Sequence, residues 1–389
     1  MNRTEEFDIA VVGAGTSGVV AALAATRAGA RVALIEATER IGGTAIHGLH
    51  RFVCGLFLAD GAEPGEPLHG ATTLDFCARL AQGPVGEKAI RRGRVWVLPF
   101  EGGAAVEACA NEQIAREANI RVHLRERPVR ALCAGNRLVE IELSSGRVVR
   151  ARAAVDATGS AALCRLAGAE VDAPASPALA GFGFELRGVD ERAAEAPGGL
   201  AVEVPLVLRR RAEAGEAPRH LAFTTWEPGA TPGTGWIKLA VPPGTDESAR
   251  RAAEAAWDAL RSRPAFRAAE RTGLASGVRP RETVRLRGEY ALTGADVLSA
   301  RKFPDGVVRN AWPVERWDAD RGVSYRYLPA GAYHDIPLRC LRPAAGPENL
   351  FCVGAAISAD SEAAASIRVM GVGMALGEAA AGRCRTFYQ

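Results

Sequence analysis

Apolar residues along this chain fall into runs and alternations whose period changes at glycines. Phe7-Asp8-Ile9-Ala10-Val11-Val12 is a short β-branched run suited to a buried parallel strand. It breaks at Gly13-Ala14-Gly15-Thr16-Ser17-Gly18, and Val19 to Ala28 is then an Ala-rich, helix-forming stretch stopped by Gly29. Arg31-Val32-Ala33-Leu34-Ile35 predicts the next strand, with Glu36 at its carboxyl end. Further on, 102–119 reads as helix and 120–124 as strand, while 138–143 and 147–151 read as a hairpin around Ser144-Ser145-Gly146. In the middle of the chain 181–186, 221–226 and 236–241 predict strands. Thr245-Asp246 caps a helix running through Trp257 to Leu260.

The first β-α-β unit carries a G-x-G-x-x-G spacing with a physical purpose at each glycine. Gly13 permits the tight turn, Gly15 lets backbone approach a pyrophosphate, and Gly18 allows close helix–strand packing. The helix amino terminus offers unpaired N–H groups and a positive dipole end to phosphates. Glu36 is placed to accept hydrogen bonds from a ribose diol.

Directly after Glu36 comes Ala37-Thr38-Glu39-Arg40-Ile41-Gly42-Gly43-Thr44. An acid followed by a basic residue and a Gly-Gly doublet resembles the FAD-binding flavoproteins with two dinucleotide-binding domains. Ala154-Val155-Asp156-Ala157-Thr158-Gly159 matches their Ala-Thr-Gly element. The segments 277–282, 288–293, 334–343, 349–354 and 366–377 are similar to the broad bacterial FAD-dependent oxidoreductase family, related in layout to the fumarate reductase and thiazole-synthase flavoproteins. The likeness runs from Asp8 to Gly382 and has two departures: Pro280 stands where the family has Glu, and Gly354 is followed by Ala355-Ala356 and not Asp.

The resemblance implies FAD as cofactor and an α/β fold, with a Rossmann-type FAD-binding domain at 1–165 plus 340–389 and an inserted α+β substrate domain at 166–339. It implies cofactor contacts from Gly13, Gly15, Thr16, Ser17, Gly18, Glu36, Ala37, Arg40, Gly42, Gly43 and Thr44. Val129 would meet adenine through its backbone, and Thr158, Gly159 and Gly354 would line the re-entry elements. Arg368, Val369 and Met370 would stand at the helix that points its amino terminus at the flavin pyrimidine ring.

The loop after the doublet, 44–55, should pass near the flavin, and it concentrates His47, His50, Arg51 and Cys54. His47 is the first choice for acid–base work, with His50 behind it. Arg279, Arg281 and Arg339 are either a clamp for a carboxylate or interface ion pairs. The expected reaction is hydride transfer to FAD from a small organic metabolite such as an amine, an amino acid or a hydroxy acid. The alternatives are a flavin-dependent monooxygenase and a non-catalytic flavin-binding subunit.

Composition narrows the partners. With 48 basic and 45 acidic residues the net charge is +3, which gives no footprint for nucleic acid or a membrane surface. The eight scattered cysteines include no Cys-x-x-Cys pair, so no metal site is expected. That pattern, a start without a secretion signal and the lack of a long apolar run predict a cytoplasmic protein. The electron acceptor and the oligomeric state, homo-oligomer included, stay open.

Overall fold

The strand Thr4–Val12 runs through the middle of a seven-stranded sheet in the computed structural model, which describes residues 4–174, 178–229 and 231–389. Val32–Glu36 and then Ile120–Leu124 pair in parallel on one side of it; Val148–Asp156 pairs in parallel on the other. Arg137–Leu143 and Pro128–Ala134 follow as the antiparallel hairpin. That hairpin pairs only with the amino-terminal half of Val148–Asp156, and the returning strand Leu350–Cys352 takes the same edge of its carboxyl half. Asn349 pins this return. It accepts from the Leu138 amide at 2.9 Å and donates to the carbonyls of Leu138 and Arg152, both at 2.8 Å.

Why the first strand has a continuous apolar run is clear from its two faces. Ile9 and Val11 join the cluster that contains the helix Thr16–Arg27, whereas Ala10 and Val12 join a second cluster behind the sheet. A strand covered on both faces cannot alternate apolar with polar.

A second, four-stranded antiparallel sheet has the order Thr225–Pro228, Gly235–Val241, Ala180–Arg187, Glu270–Leu274. Here the alternation is plain. Phe182, Phe184, Leu186, Trp226, Ile237, Leu239 and Val241 pack into one cluster with residues of the helices Leu200–Glu213 and Asp246–Leu260. Phe184 is fully buried, so Phe184→Ala would cost about 3–5 kcal/mol. Gly181, Gly183, Glu185, Trp236 and Lys238 occupy the other face, where the Glu185 carboxylate accepts from Arg51 at 2.8 Å.

Most elements fall where the apolar pattern places them, including the helix capped by the Thr245 side chain. One does not: Arg219–Phe223 is a 3-10 turn, and the strand begins only at Thr225. Residues 292–336, inside the stretch read as inserted, send Leu292, Val297, Val308, Val314 and Ile336 into the first cluster. Among the described residues no helix is long and apolar enough to cross a membrane.

Candidate active site

The glycine loop is shaped by contacts that only glycine permits. Gly13 has φ +101°, and a β-carbon on Gly18 would overlap the Gly13 carbonyl oxygen. Gly15 differs: its φ of −65° suits any residue, and a β-carbon there would meet only the Gly43 Cα at 3.9 Å. It would point into the gap between the two glycine loops. The helix Thr16–Arg27 that starts there has no side-chain cap and no acid in its first turn, so its leading amides stay available to an anion.

The second glycine loop closes over the first. The Gly42 amide donates to the Ala14 carbonyl at 2.8 Å, and a β-carbon on Gly43 would lie 2.8 Å from the Gly15 Cα. Glu36 is locked at the edge of this cradle. It accepts the Ala14 amide at 2.8 Å and the amide and hydroxyl of Thr38 at 2.9 Å. Arg40 is drawn sideways into an ion pair with Glu107 at 2.6 Å, which raises its pKa and ties the segment from Ala37 to Gly42 to the helix Gly103–Ala115. Two backbone loops in contact, with an uncapped helix start and an acid beside them, fit the pyrophosphate and ribose of a dinucleotide.

Two other expected contacts flank the cradle. Thr158 donates through its amide and hydroxyl to the buried Asp156 carboxylate, and Gly159 turns with φ +74°. Val129 lies where the register of the Pro128–Ala134 hairpin shifts, so it faces no partner residue on the neighbouring strand. Asp156, Cys164 and Cys352 bring ligand atoms within 4.8 Å of one another. The Asp156 carboxylate there is already occupied by Thr158 and by the Cys164 amide at 2.9 Å.

The carboxyl-terminal helix Met370–Cys384 packs against the glycine-loop helix through small residues. A β-carbon on Gly373 would stand 2.6 Å from Ser17 Oγ, and one on Gly377 would overlap the Ser17 carbonyl oxygen. With those contacts one and two turns in, the start of the helix projects past Ser17. Val369 is its cap, Gly354 faces Ser17, and the Gly371 amide donates to the Cys54 carbonyl at 2.9 Å.

The polar face of the four-stranded sheet meets this end. His50 packs edge-on to Trp236, ring centroids 6.5 Å apart, and its ring nitrogens have no hydrogen-bond partner among the described residues. Burial, together with the charges of Lys238, Arg281 and Arg368, pushes its pKa down to about 3, so the ring is neutral at ordinary pH. Burial likewise pushes the Cys54 thiol up to about 12, which removes it as a thiolate nucleophile.

His47 is placed differently. It ends the short helix Thr44–His47, its Nδ1 bonds to Ser276 Oγ at 2.8 Å, and Arg279 donates to the same hydroxyl at 3.2 Å. Its pKa is lowered, first by burial and next by Arg279, and the carboxylates it senses are Glu36 and Glu107 at the cradle. The structure thus puts His47 and Arg279 toward the Glu36 end and His50 toward the Met370 end.

Arg339 joins neither group, because it pairs with Asp305 at 3.0 Å and lies over the Tyr290 ring. His334 is equally removed. Its Nε2 meets Asn310 Nδ2 at 2.9 Å and its Nδ1 the Asp335 carbonyl at 3.1 Å, in a fully buried knot. Sequence reasoning passed over Lys238, Trp236 and Glu315. The lone lysine in the middle of the alternating Trp236-Ile237-Lys238-Leu239 was the available signal.

The chain matches the family described as FAD dependent oxidoreductase over residues 8–386. Among solved structures it is similar to GidA of Aquifex aeolicus in its form I crystal, with TM-score 0.54 and 14% identity over 98% of this chain and 66% of that one. The form II crystal gives TM-score 0.52 and 15% identity over 98% and 64%. PqsL of P. aeruginosa, solved in complex with 2-aminobenzoylacetate, matches with TM-score 0.47 and 16% identity over 97% of this chain and 84% of that one. At such identities the GidA likeness speaks for the fold, the Rossmann-type architecture of FAD-binding flavoproteins.

Proposed function

The chain belongs to the FAD dependent oxidoreductase family, and from that premise we propose that it oxidises a small organic alcohol or amine, with His50 as the proton acceptor. FAD, when bound, supplies the two-electron sink for hydride taken from a substrate carbon. The remaining work falls to the chain. The adjacent O–H or N–H loses its proton to the unpartnered ring of His50, so an alcohol leaves as a carbonyl and an amine as an imine.

In this reading Gly13, Gly15, Thr16, Ser17 and Gly18 hold the pyrophosphate jointly with Gly42, Gly43 and Thr44. Glu36 holds the ribose, and Arg40 fixes the connecting loop through Glu107. The bulged backbone at Val129 is left for adenine, while Val369, Met370 and the turn at Gly354 stand where the flavin ring would end. His47 and Arg279 then serve the cradle and not the reacting atoms, which reverses the order of the two histidines expected from sequence.

What supports the proposal is a glycine cradle at an uncapped helix start, followed in the chain by a loop that carries a neutral imidazole without a hydrogen-bond partner among the described residues. Anaerobic mixing of the FAD-loaded protein with panels of amines, hydroxy acids and amino acids tests it. At least one should bleach the visible flavin band. Loss of that bleaching in His50→Asn with FAD retained supports the role of His50. Bleaching at an unchanged rate overturns it.

A further inference from the structure

Between the four-stranded sheet and the segment Val314–Asp318 lies a group of side chains whose charges do not balance. Lys238 Nζ sits between two indoles, 5.8 Å from the Trp236 centroid and 5.5 Å from that of Trp317. The Arg281 guanidinium stacks on Trp317 at 3.8 Å and spends one donor on the Leu179 carbonyl at 2.6 Å. Arg368 gives one hydrogen bond, to the backbone carbonyl of Glu315 at 2.8 Å. Among the described residues none of the three has a carboxylate within the 4.0 Å of an ion pair.

Glu315 is the one acid that His50, Arg281 and Arg368 all sense, and its oxygens are already taken. Oε1 accepts from Trp317 Nε1 at 2.6 Å and Oε2 from Trp312 Nε1 at 3.2 Å. A cavity opens on Arg281, Glu315, Trp317 and Arg368. The acids on its rim are also engaged: Glu282 accepts from Ser361 at 3.0 Å, and Asp318 accepts two loop amides at 2.9 Å. Lys238, Arg281 and Arg368 have Glu315, with Glu282 also acting on Arg368, and cations drawn partly out of water against carboxylates already committed elsewhere are costly without a further anion. Guanidinium forks and an ammonium with most donors open are the groups that recognise a carboxylate.

We infer that the substrate carries a carboxylate, which Lys238, Arg281 and Arg368 bind so that its oxidisable carbon is presented beside His50. This deepens the oxidoreductase reading and rests on it. It also separates the two arginine groups: Arg281 faces the substrate, while Arg279 stays with Ser276 and His47.

The test uses the FAD-loaded protein and two matched probe pairs, benzoate against benzamide and succinate against succinamide. Binding is read by calorimetry and by the shift of the flavin visible spectrum, neither of which needs turnover. At least one carboxylate should bind saturably and at least about tenfold more tightly than its amide, the scale of a charge-assisted contact. Lys238→Met and Arg281→Gln should each weaken it by a similar factor, Lys238→Arg should restore most of the affinity, and Arg187→Gln, on a distant surface pair, should change nothing. Carboxylate binding without flavin bleaching by any donor would sink the redox reading and leave the anion site standing. Equal affinity for carboxylates and amides, or bleaching by neutral donors with no gain from a carboxylate, would overturn the anion site and leave the oxidoreductase.

Discussion

His50 and His334 are both neutral imidazoles, yet for opposite reasons. His334 is neutral because both ring nitrogens are engaged: one meets the Asn310 amide and the other a carbonyl that requires N–H. His50 is neutral because burial and three nearby cations disfavour its charge, and its nitrogens have no hydrogen-bond partner among the described residues. The first is a structural part; the second becomes a competent base when a bound anion offsets those three cations and lifts its pKa toward the working range. Replacing His50 with Asn should therefore slow flavin reduction about 10²- to 10⁴-fold with FAD still bound, the usual scale of acid–base assistance. His47→Asn should change the rate only a few-fold, since Ser276, itself bonded by Arg279, already holds that ring. The sign of the pH effect follows. A base with its pKa near 3 is unprotonated at pH 5, so reduction by an alcohol donor at low concentration should stay level between about pH 5 and 8. A limb with its midpoint near about 6.5 would mean a solvated imidazole and would contradict this placement.

At the scale of elements, the glycines divide into those that build the loop and one, Gly15, that leaves open space beside it. Gly18→Ala forces a methyl onto the Gly13 carbonyl and should lower the melting temperature even without cofactor. Gly15→Ala has room in the bare loop, and its φ is permissive, so the apo protein should melt as the wild type does while FAD affinity falls at least about tenfold. Calorimetric melts of apo protein and FAD titrations of both variants check this pair of outcomes. These glycines were legible in the sequence because turn, phosphate approach and helix packing each demand glycine at a fixed spacing. The polar face of the four-stranded sheet was not legible to the same degree. Which face of Gly235–Val241 meets which helix is decided by partners far along the chain, and Glu315 and Arg368 reach Lys238 only through folding. The reading of Leu221 to Trp226 as one strand failed for a local reason. Pro218 starts a 3-10 turn whose Leu221 is apolar because it plugs the sheet's core.

Seen as a whole molecule, the protein should be more acid-sensitive than its composition suggests. All six histidines have lowered pKa values, with burial as the leading cause in each. Below the ordinary histidine range the unfolded chain takes up protons that the folded chain refuses, so stability is full above about pH 6.5 and declines as pH falls. For His334, fully buried and held at about 4, the loss between pH 7 and 5 is about 2 kcal/mol. Melting temperature should drop across that interval, and His334→Gln, which titrates nothing, should flatten part of the slope. A melting temperature independent of pH over that range would show that the histidines are solvated.

The central strands of the main sheet were readable at this scale because covered strands leave uninterrupted apolar runs, as at 9–12. The packing of Leu292 to Ile336 into the first cluster was hidden, since short strands joined by turns carry little periodicity. The central claim is that electrons enter from an organic substrate lying between the flavin and the polar face of the four-stranded sheet. Anaerobic stopped-flow bleaching of the bound flavin tests it most directly, with carboxylate-bearing alcohols and amines run beside NADH and NADPH. The account predicts rapid loss of the visible flavin band with at least one organic donor and slow or no loss with either nicotinamide. Rapid bleaching by a nicotinamide, with every organic donor inert, would contradict it.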